Sequence, residues 1–336
     1  MNKGKLVISL DFELLWGVRD KRTIESYGDS LKQVHSIVPR MIDLFDKYGV
    51  KATFATVGFL FAKTKQELLN YFPRSTPNYL DQNLSPYGAP MNLVKEHSNQ
   101  DPFHFAPKLI DILMDNDNHE IGSHTFSHFY CLEEGQSLED FEGDLKAAIE
   151  ISASAGNRIR SIVFPRNQVN ADYLKVCLDN GISSYRGTER VWFNKAESES
   201  DTTLLKKIFR TLDCYINISG HHTFSLNELV GSAPYNIRSS RFLRPYNTKV
   251  WFLEFMKLRR IKKSMTHAAK KGEVYHLWWH PHNFGANTEM NFAILDNILA
   301  HHARLVEKYE FGSATMQSIV HEIERNNMLN SSHQKA

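Results

Sequence analysis

The first hydrophobic run of the chain is short and gives way at once to acidic residues. Residues 5–10, KLVISL, end at Asp11, and this pattern predicts a short buried strand. Apolar residues then recur at helical spacing over 34–45, and the run VKATFATV at 50–57 predicts a second strand. Strand, helix and strand in this order indicate a βαβ unit.

The same alternation continues toward the C-terminus. The pattern predicts a helix around 109–113, a helix over 137–155, a strand over 160–164 and a helix over 171–179. Repeated βα units favour a parallel sheet or barrel, in which functional residues gather at the C-terminal ends of the strands. Asp11, Pro165 and His280 each follow an apolar run directly, which is where an active site in such a fold would lie.

Three regions do not follow this alternation. Residues 74–104 combine prolines with many asparagine, serine and glutamine residues, which predicts a long surface excursion. Residues 195–248 are predicted to form a second insertion, and residues 326–336 a flexible tail. We therefore expect a single α/β domain over residues 1–325.

The composition is that of an ordinary soluble globular protein. Hydrophobic residues make up 42% and charged residues 23% of the 336 positions, and the formal net charge is only +2. This charge gives no electrostatic argument for nucleic-acid binding, and no apolar run approaches the ~18 residues of a membrane span. The N-terminal run LVISL is too short for a signal-peptide core, so we expect a cytoplasmic protein with free thiols at its three cysteines.

The stretch HEIGSHTFSH, residues 119–128, carries the candidate metal ligands. It does not fit the zinc-protease pattern HExxH, because the next histidine after His119 is five positions on instead of four. His124 and His128 have the spacing that lets two histidines share a metal on one helical turn. We expect His119 and Glu120 instead to close a strand and shape the approach to the site.

The acidic pair Asp11 and Glu13 is the best source of a third ligand. A strand places residues i and i+2 on the same face, so both carboxylates reach one centre if the first strand extends that far. Two histidines and one carboxylate leave coordination positions open for water, as a hydrolytic metal site requires.

Several motifs, taken in order, resemble those of the polysaccharide deacetylase family, also called the NodB-homology or carbohydrate esterase family 4 group. They are SLDFE (9–13), GVKATFATVG (49–58), HEIGSHTFSH (119–128), FPRN (164–167) and LWWHPH (277–282). The resemblance implies a distorted (β/α)7 barrel. It also implies a metal-dependent amidohydrolase that acts on N-acyl amino sugars with one divalent ion, most simply zinc.

Carried over to this chain, the resemblance makes Asp11 the catalytic base and Glu13, His124 and His128 the metal ligands. The usual family motif has two adjacent aspartates, whereas this chain reads DFE at 11–13. The choice between Asp11 and Glu13 as the metal carboxylate therefore stays open.

The FPRN motif is expected to supply the arginine that the family places beside the base. Arg166 would pair with Asp11 and keep it ionised, because an opposite charge nearby favours the carboxylate form. Asn167 is expected to bind substrate, with its backbone N–H directed at the oxyanion. The family normally has arginine before proline, whereas here Pro165 precedes Arg166.

The last motif supplies the catalytic acid. His280 is the expected acid because it follows the run VYHLWW directly, and His282 is the competing choice. The aspartate with which the family tunes this histidine is missing from residues 181–192, where Glu189 is the available substitute.

Aromatic residues near these motifs are candidates for sugar stacking, with a core position as the alternative for each. They are Trp278, Trp279, Trp192 and Tyr185. The basic run at 257–272 predicts an amphipathic helix with a solvated face. Peripheral contact with the anionic inner membrane surface, or with a pyrophosphate-bearing sugar, is the alternative for this run.

The resemblance thus implies a hydrolase that removes an N-acetyl group from an amino sugar in polysaccharide or glycoconjugate biosynthesis. The substrate is expected to be nucleotide-linked, lipid-linked or an oligosaccharide. Three alternatives stay open: a lipid-linked amino-sugar deformylase, an allantoinase-like cyclic-amide hydrolase, and a non-catalytic sugar-binding barrel, for which the irregular FPRN motif argues.

Overall fold

The computed structural model describes residues 3–195, 197–198, 202–229, 231 and 233–333. Its strands are β1 (Lys5–Phe12), β2 (Thr53–Thr56), β3 (Glu120–Ser123), β4 (Ser161–Ile162), β5 (Ser184–Tyr185), β6 (Tyr235–Asn236), β7 (Arg241–Phe242), β8 (Val274–Trp279) and β9 (Gly312–Ala314). Its helices are α1 (Ile24–Lys47), α2 (Lys65–Asn70), α3 (Pro107–Met114), α4 (Leu138–Ser154), α5 (Tyr173–Asp179), α6 (Leu204–Tyr215), α7 (Glu254–Lys271), α8 (Thr288–Tyr309) and α9 (Met316–His333).

All strand pairs between these elements are parallel, and the strands form one sheet in the order β6-β5-β4-β3-β2-β1-β8-β7. Strand β9 pairs with the N-terminal half of β1. The connections run through helices, as parallel pairing requires. The predicted α/β barrel architecture is confirmed.

The segment that contains β6 and β7 closes the barrel. Strand β6 pairs with β5, and β7 pairs with β8 at the other end of the sheet. Between them, the Ser239 N–H donates to the Gly187 carbonyl (2.9 Å) and the Ser240 N–H to the His276 carbonyl (2.8 Å). If β6 and β7 are taken as two halves of one strand, the described residues give a ring of seven strands. The region 195–248 is therefore not merely an insertion.

Strand β1 shows how one strand serves both the core and the site. Its outward side chains lie in the main hydrophobic core with the helices: Leu6, Ile8, Leu10 and Phe12. On the opposite face, Ser9 and Asp11 lie inside the barrel and are buried. The strand continues two residues beyond the predicted end, because Asp11 and Phe12 pair with Ala55 and Thr56 of β2. This extension brings Asp11 and then Glu13 to the same side.

Helix boundaries differ from the predictions where the ends of a helix are polar and the apolar spacing is lost. Helix α1 begins ten residues before the predicted start at 34, after a capping box in which Thr23 and Ser26 exchange side-chain to backbone hydrogen bonds. Helix α9 continues through 333, so most of the predicted tail 326–336 is helical; residues 334–336 lie outside the described residues. The excursion at 74–104 contains only short 3-10 turns.

The basic run at 257–272 forms most of α7, as predicted. Not all of its basic residues are exposed to solvent, because Lys257 and Arg260 are buried in ion pairs with Glu254 and Asp213. Among the described helices, none is long and apolar enough to cross a membrane.

Candidate metal centre

Glu13 lies at the centre of a buried cluster of histidines. Its Oε2 is 3.2 Å from His124 Nε2 and 3.1 Å from His128 Nε2, and its Oε1 is 3.1 Å from His282 Nε2. The ligand atoms of Glu13, His124 and His128 lie within 4.8 Å of one another, a spacing that a single metal ion can bridge. Of the two carboxylates left open by the sequence, Glu13 is the one that lies against both His124 and His128.

Gly17 leaves the space that this carboxylate occupies. A Cβ atom at Gly17 would lie 1.9 Å from Glu13 Cδ and 2.1 Å from Oε1. A side chain of any size at this position would push the carboxylate away from the histidines. The glycine of the sequence DFELLWG is therefore part of the site.

His124 and His128 reach Glu13 from a tight loop and not from a helix, so the helical-turn prediction is wrong. The loop follows β3, and both Thr125 (φ 64°) and His128 (φ 61°) have left-handed backbone conformations. Asp144 of α4 fixes the loop by accepting hydrogen bonds from the backbone N–H groups of Phe126 (2.7 Å) and Ser127 (3.1 Å). These contacts turn both rings toward the end of β1.

The protonation of these rings fits a cation. His124 Nδ1 donates to the Val163 carbonyl at 2.8 Å, so in the neutral ring Nε2 carries a lone pair. That lone pair faces the Glu13 carboxylate, which is another acceptor, at 3.2 Å. Burial lowers the pKa of His128 to about 3, which keeps that ring neutral as a metal ligand must be. Burial alone would raise the pKa of Glu13, but the surrounding histidines hold it well below its usual range.

His280 and His282 lie on the other side of Glu13. His280 Nε2 is 3.6 Å from both Asp11 Oδ2 and Glu13 Oε1, and its side chain is 23% exposed. His282 is buried, and its Nδ1 is 3.0 Å from the Tyr27 hydroxyl. His280 therefore faces the open side of the site, whereas His282 supports Glu13 from behind. This geometry favours His280 as the acid.

Asp11 is held by Arg186, which the sequence analysis did not single out. Arg186 Nη1 and Nη2 donate to the two carboxylate oxygens at 2.6 and 2.8 Å, and both side chains are buried. Burial raises the pKa of Asp11, yet Arg186, together with His124 and His280, outweighs it and lowers the pKa below its ordinary value. Asp11 is therefore a buried, ionised carboxylate, with His280 Nε2 3.6 Å from its Oδ2.

The expected pairing of Arg166 with Asp11 is wrong. Arg166 forms ion pairs with Asp20 and Glu133 and lies over the Tyr130 ring, 4.3 Å from its centroid. Its backbone is left-handed (φ 54°), in the turn after β4, and this turn directs its side chain away from β1. Arg186 reaches Asp11 because it follows β5 directly and points into the barrel.

The Asn167 side chain holds the Arg186 guanidinium, and its backbone N–H does not face an oxyanion. Its Oδ1 accepts from Arg186 Nε (3.2 Å) and Nη2 (2.9 Å). Its backbone N–H donates to the Phe164 carbonyl at 2.8 Å, so the predicted oxyanion role of this N–H is wrong.

Asn283, not Glu189, contacts the ring of His280. The Asn283 side-chain amide is 3.2 Å from His280 Nδ1, whereas Glu189 accepts from Asn194 Nδ2 at 3.1 Å. Asn283 lies only three residues after His280, in the turn that follows Pro281. The expectation that Glu189 substitutes for the missing aspartate is therefore wrong.

Of the predicted stacking residues, only Trp278 lies at the site. Its ring centroid is 5.6 Å from that of His280, and the Arg186 guanidinium lies over it at 4.1 Å. Trp279 points to the opposite face of β8, where it is fully buried against Phe284. Tyr185 packs against Phe164 on the outer face of β5. Trp279 is a core residue and Tyr185 a partly buried residue packed against the core, so the prediction of substrate contact is wrong for both.

Glu120 begins β3 and His119 directly precedes it, at the end of the barrel opposite to the site, so neither closes a strand. Glu120 accepts from Thr53 Oγ1 at 2.8 Å and from the Gln317 N–H at 2.9 Å. His119 lies between the rings of Phe45 and Phe54. Their expected role at the approach to the site is wrong.

The comparison with known families agrees with this geometry. The family model of the polysaccharide deacetylases matches residues 19–185, which include the histidine loop and Tyr185. The chain belongs to the polysaccharide deacetylase family. The resemblance drawn from its motifs is confirmed. Among curated proteins, none matches the chain in sequence.

Solved structures share the fold of this family member. A Mycobacterium smegmatis protein that carries the name polysaccharide deacetylase has a TM-score of 0.59 at 14% identity, over 97% of this chain and 92% of the other. A Pseudomonas aeruginosa PAO1 protein of the same name has a TM-score of 0.51 at 11% sequence identity, over 96% of this chain and 90% of the other. The allantoinase Puue has a TM-score of 0.50 at 11% sequence identity, over 94% of this chain and 88% of the other. At these identities the similarity shows the fold and not the reaction.

Proposed function

We propose that the protein is a metal-dependent hydrolase that removes the N-acetyl group of an amino sugar. The observation that carries the proposal is the position of Glu13, whose carboxylate lies against His124 and His128 within reach of the ionised Asp11. Membership of the polysaccharide deacetylase family supports the hydrolytic reaction and the acetylated carbohydrate substrate.

Glu13, His124 and His128 would hold the metal. Two imidazoles and one carboxylate form a ligand set that suits Zn²⁺ well, and they leave room for water and substrate. A divalent ion bound there supplies a Lewis acid that polarises the acyl carbonyl and lowers the pKa of water.

Asp11 acts as the base in this proposal. Arg186 holds both of its oxygens and keeps it ionised, so that it accepts a proton from the attacking water. Because Arg186 is itself fixed by Asn167 and Ser9, Asp11 keeps one orientation throughout.

His280 acts as the acid. Its Nε2 lies 3.6 Å from Asp11 Oδ2, so the side chains that take and give the proton are neighbours. Burial lowers the pKa of His280, so its ring is neutral at the start. Asp11 passes the water's proton to this ring, and the protonated ring then donates a proton to the departing amine nitrogen. Asn283 holds Nδ1 and so directs Nε2 toward the substrate. Trp278 offers an apolar wall for the sugar ring.

The test is acetate release from N-acetylglucosamine oligomers by wild-type protein and by Asp11→Asn and His280→Ala. Loss of one catalytic proton-transfer group costs about 10²–10⁴-fold in rate. Asp111→Asn, an exposed aspartate on α3, is the matched control and should retain wild-type activity. If Asp11→Asn and His280→Ala both retain full activity, the proposed roles are wrong.

The alternatives are separated by product assays with other substrates. Formate from a lipid-linked formamido sugar would indicate the deformylase, and ring opening of allantoin the cyclic-amide hydrolase. Sugar binding without any product would indicate a non-catalytic barrel. The irregular FPRN motif no longer argues for that last alternative, because Arg186 occupies the place beside Asp11. Cytoplasmic location and membrane contact stay predictions.

A further inference from the structure

A second cavity adjoins the candidate catalytic site. It has a volume of about 310 Å³, and Trp278, Phe242 and Asn167 are among its lining residues. The Phe242 and Trp278 rings lie 5.7 and 5.6 Å from the His280 ring, centroid to centroid. The two aromatic rings therefore form a wall shared by the cavity and the site, so one substrate can reach both.

Basic side chains outnumber acidic ones around this cavity. The basic residues are Arg166, Lys195, Arg210, Arg241 and Arg244, and the acidic residues are Glu189, Glu197 and Asp213. Among the ion pairs of the described residues, Arg166 is paired with Asp20 and Glu133, and Arg210 with Glu197. Arg241 shares the single carboxylate of Asp213 with Arg260, and no ion pair of Lys195 or Arg244 is seen in the described regions. The surplus of positive charge around the cavity therefore lies on Lys195, Arg244 and the partly compensated Arg241.

Arg241 is buried with unused hydrogen-bond donors. Its side chain is 6% exposed, and its Nη1 donates to Asp213 Oδ2 at 3.1 Å. Its Nε and Nη2 are buried and, within the part of the chain that the structure describes, form no hydrogen bond of ordinary geometry, although the buried Tyr275 hydroxyl lies close to the guanidinium. Asp213 is shared with Arg260, so one carboxylate faces two guanidinium groups. Donors buried in this way are costly unless a ligand accepts from them.

Arg244 is a second guanidinium on the same wall. Its Nε donates to Cys214 Sγ at 3.0 Å, and for its Nη atoms no hydrogen bond is seen in the described regions. Its side chain is half-buried, so an incoming group reaches it without a large rearrangement. The planar fork of an arginine matches the paired oxygens of a phosphate or carboxylate.

We propose that this cavity is an anion-binding subsite, in which Arg241 and Arg244 bind a phosphate or carboxylate group of the substrate. The inference rests on the proposed deacetylation and narrows its substrate to an N-acetylated amino sugar that carries a phosphate ester or a carboxylate. The two chemistries share the same paired oxygens, and a direct binding experiment separates them.

The binding experiment uses inorganic pyrophosphate and glucuronate as probes. Calorimetry measures the binding of each probe to protein from which metal ions have been removed with a chelator. Arg244→Gln should weaken binding of the correct probe by about tenfold, since it removes one charged, bidentate contact. Arg259→Gln, an exposed arginine of α7 outside the cavity, is the matched control and should bind as wild type does. Arg241→Gln should give a larger loss if circular dichroism shows that it folds. A loss confined to pyrophosphate assigns a phosphate, and a loss confined to glucuronate assigns a carboxylate.

A kinetic experiment keeps this inference separate from the proposed function. The ratio of kcat/KM for N-acetylglucosamine 1-phosphate to that for a neutral N-acetylglucosamine oligomer should fall about tenfold in Arg244→Gln and stay constant in Arg259→Gln. The subsite is overturned if the protein releases acetate but neither probe binding nor the kcat/KM ratio changes in Arg244→Gln. Arg244-dependent anion binding without acetate release from any substrate supports the subsite and contradicts the proposed function.

Discussion

Replacement of Arg186 by methionine tests the pairing on which the base depends. The substitution leaves the ionised Asp11 buried without its partner, and it also removes the contacts of Arg186 with Asn167 and Ser9. Loss of one member of a buried ion pair destabilises a protein by about 3–5 kcal/mol. We expect a decrease of that size in the free energy of unfolding, measured by urea denaturation at pH 7.

Arg166→Met is the matched control, because Arg166 was the sequence-based choice for the same role. Its side chain is 17% exposed, and its ion pairs with Asp20 and Glu133 lie closer to solvent than the Arg186 pair. We expect this variant to lose about 1 kcal/mol. Asp11→Asn combined with Arg186→Met should recover part of the loss, since no unpaired charge then remains. Equal losses for the two arginine variants would refute the assignment.

Three further predictions follow from other parts of the barrel. Gly17→Ala should reduce the zinc content of the purified protein, because the new methyl group overlaps the Glu13 carboxylate; full zinc occupancy would contradict this. Burial lowers the pKa of His276 to about 3, so its contribution to stability is lost as the pH falls from about 6.5 toward 3. About 2 kcal/mol of stability should disappear between pH 7 and pH 5, and His276→Gln should remove that part of the pH dependence in urea titrations. Trp278→Ala should raise KM for the sugar without a large loss of stability, whereas Trp279→Ala should destabilise the fold by about 3–5 kcal/mol; the reverse pattern would be evidence against the assigned faces of β8.

The elements with strong periodicity could be predicted from the sequence. Strands β1, β2 and β8 and helix α4 produce apolar patterns long enough to recognise, and their order indicates the parallel barrel. Strands β6 and β7 were missed because each is only two residues long, and two residues carry no periodicity. Their pairing is set by neighbours distant in sequence, which a local pattern does not contain.

The candidate metal ligands could be grouped from the sequence because the chemistry of their side chains is distinctive even when the local structure is not. Glu13, His124 and His128 were chosen correctly as neighbours, although the loop conformation was not foreseen. Arg186 was overlooked because an arginine after a short polar strand looks like any surface arginine. The signal that could have found it is its place directly after β5, at the same barrel edge as Asp11. Such a signal is readable only once the strand register is known.

The central claim, that this barrel hydrolyses an N-acetyl group with a bound metal ion, is tested most directly by acetate release before and after chelation. We predict that chelated protein releases no acetate from N-acetylglucosamine oligomers or N-acetylglucosamine 1-phosphate, and that one equivalent of Zn²⁺ restores the release. Acetate release that persists in metal-free protein would contradict the account.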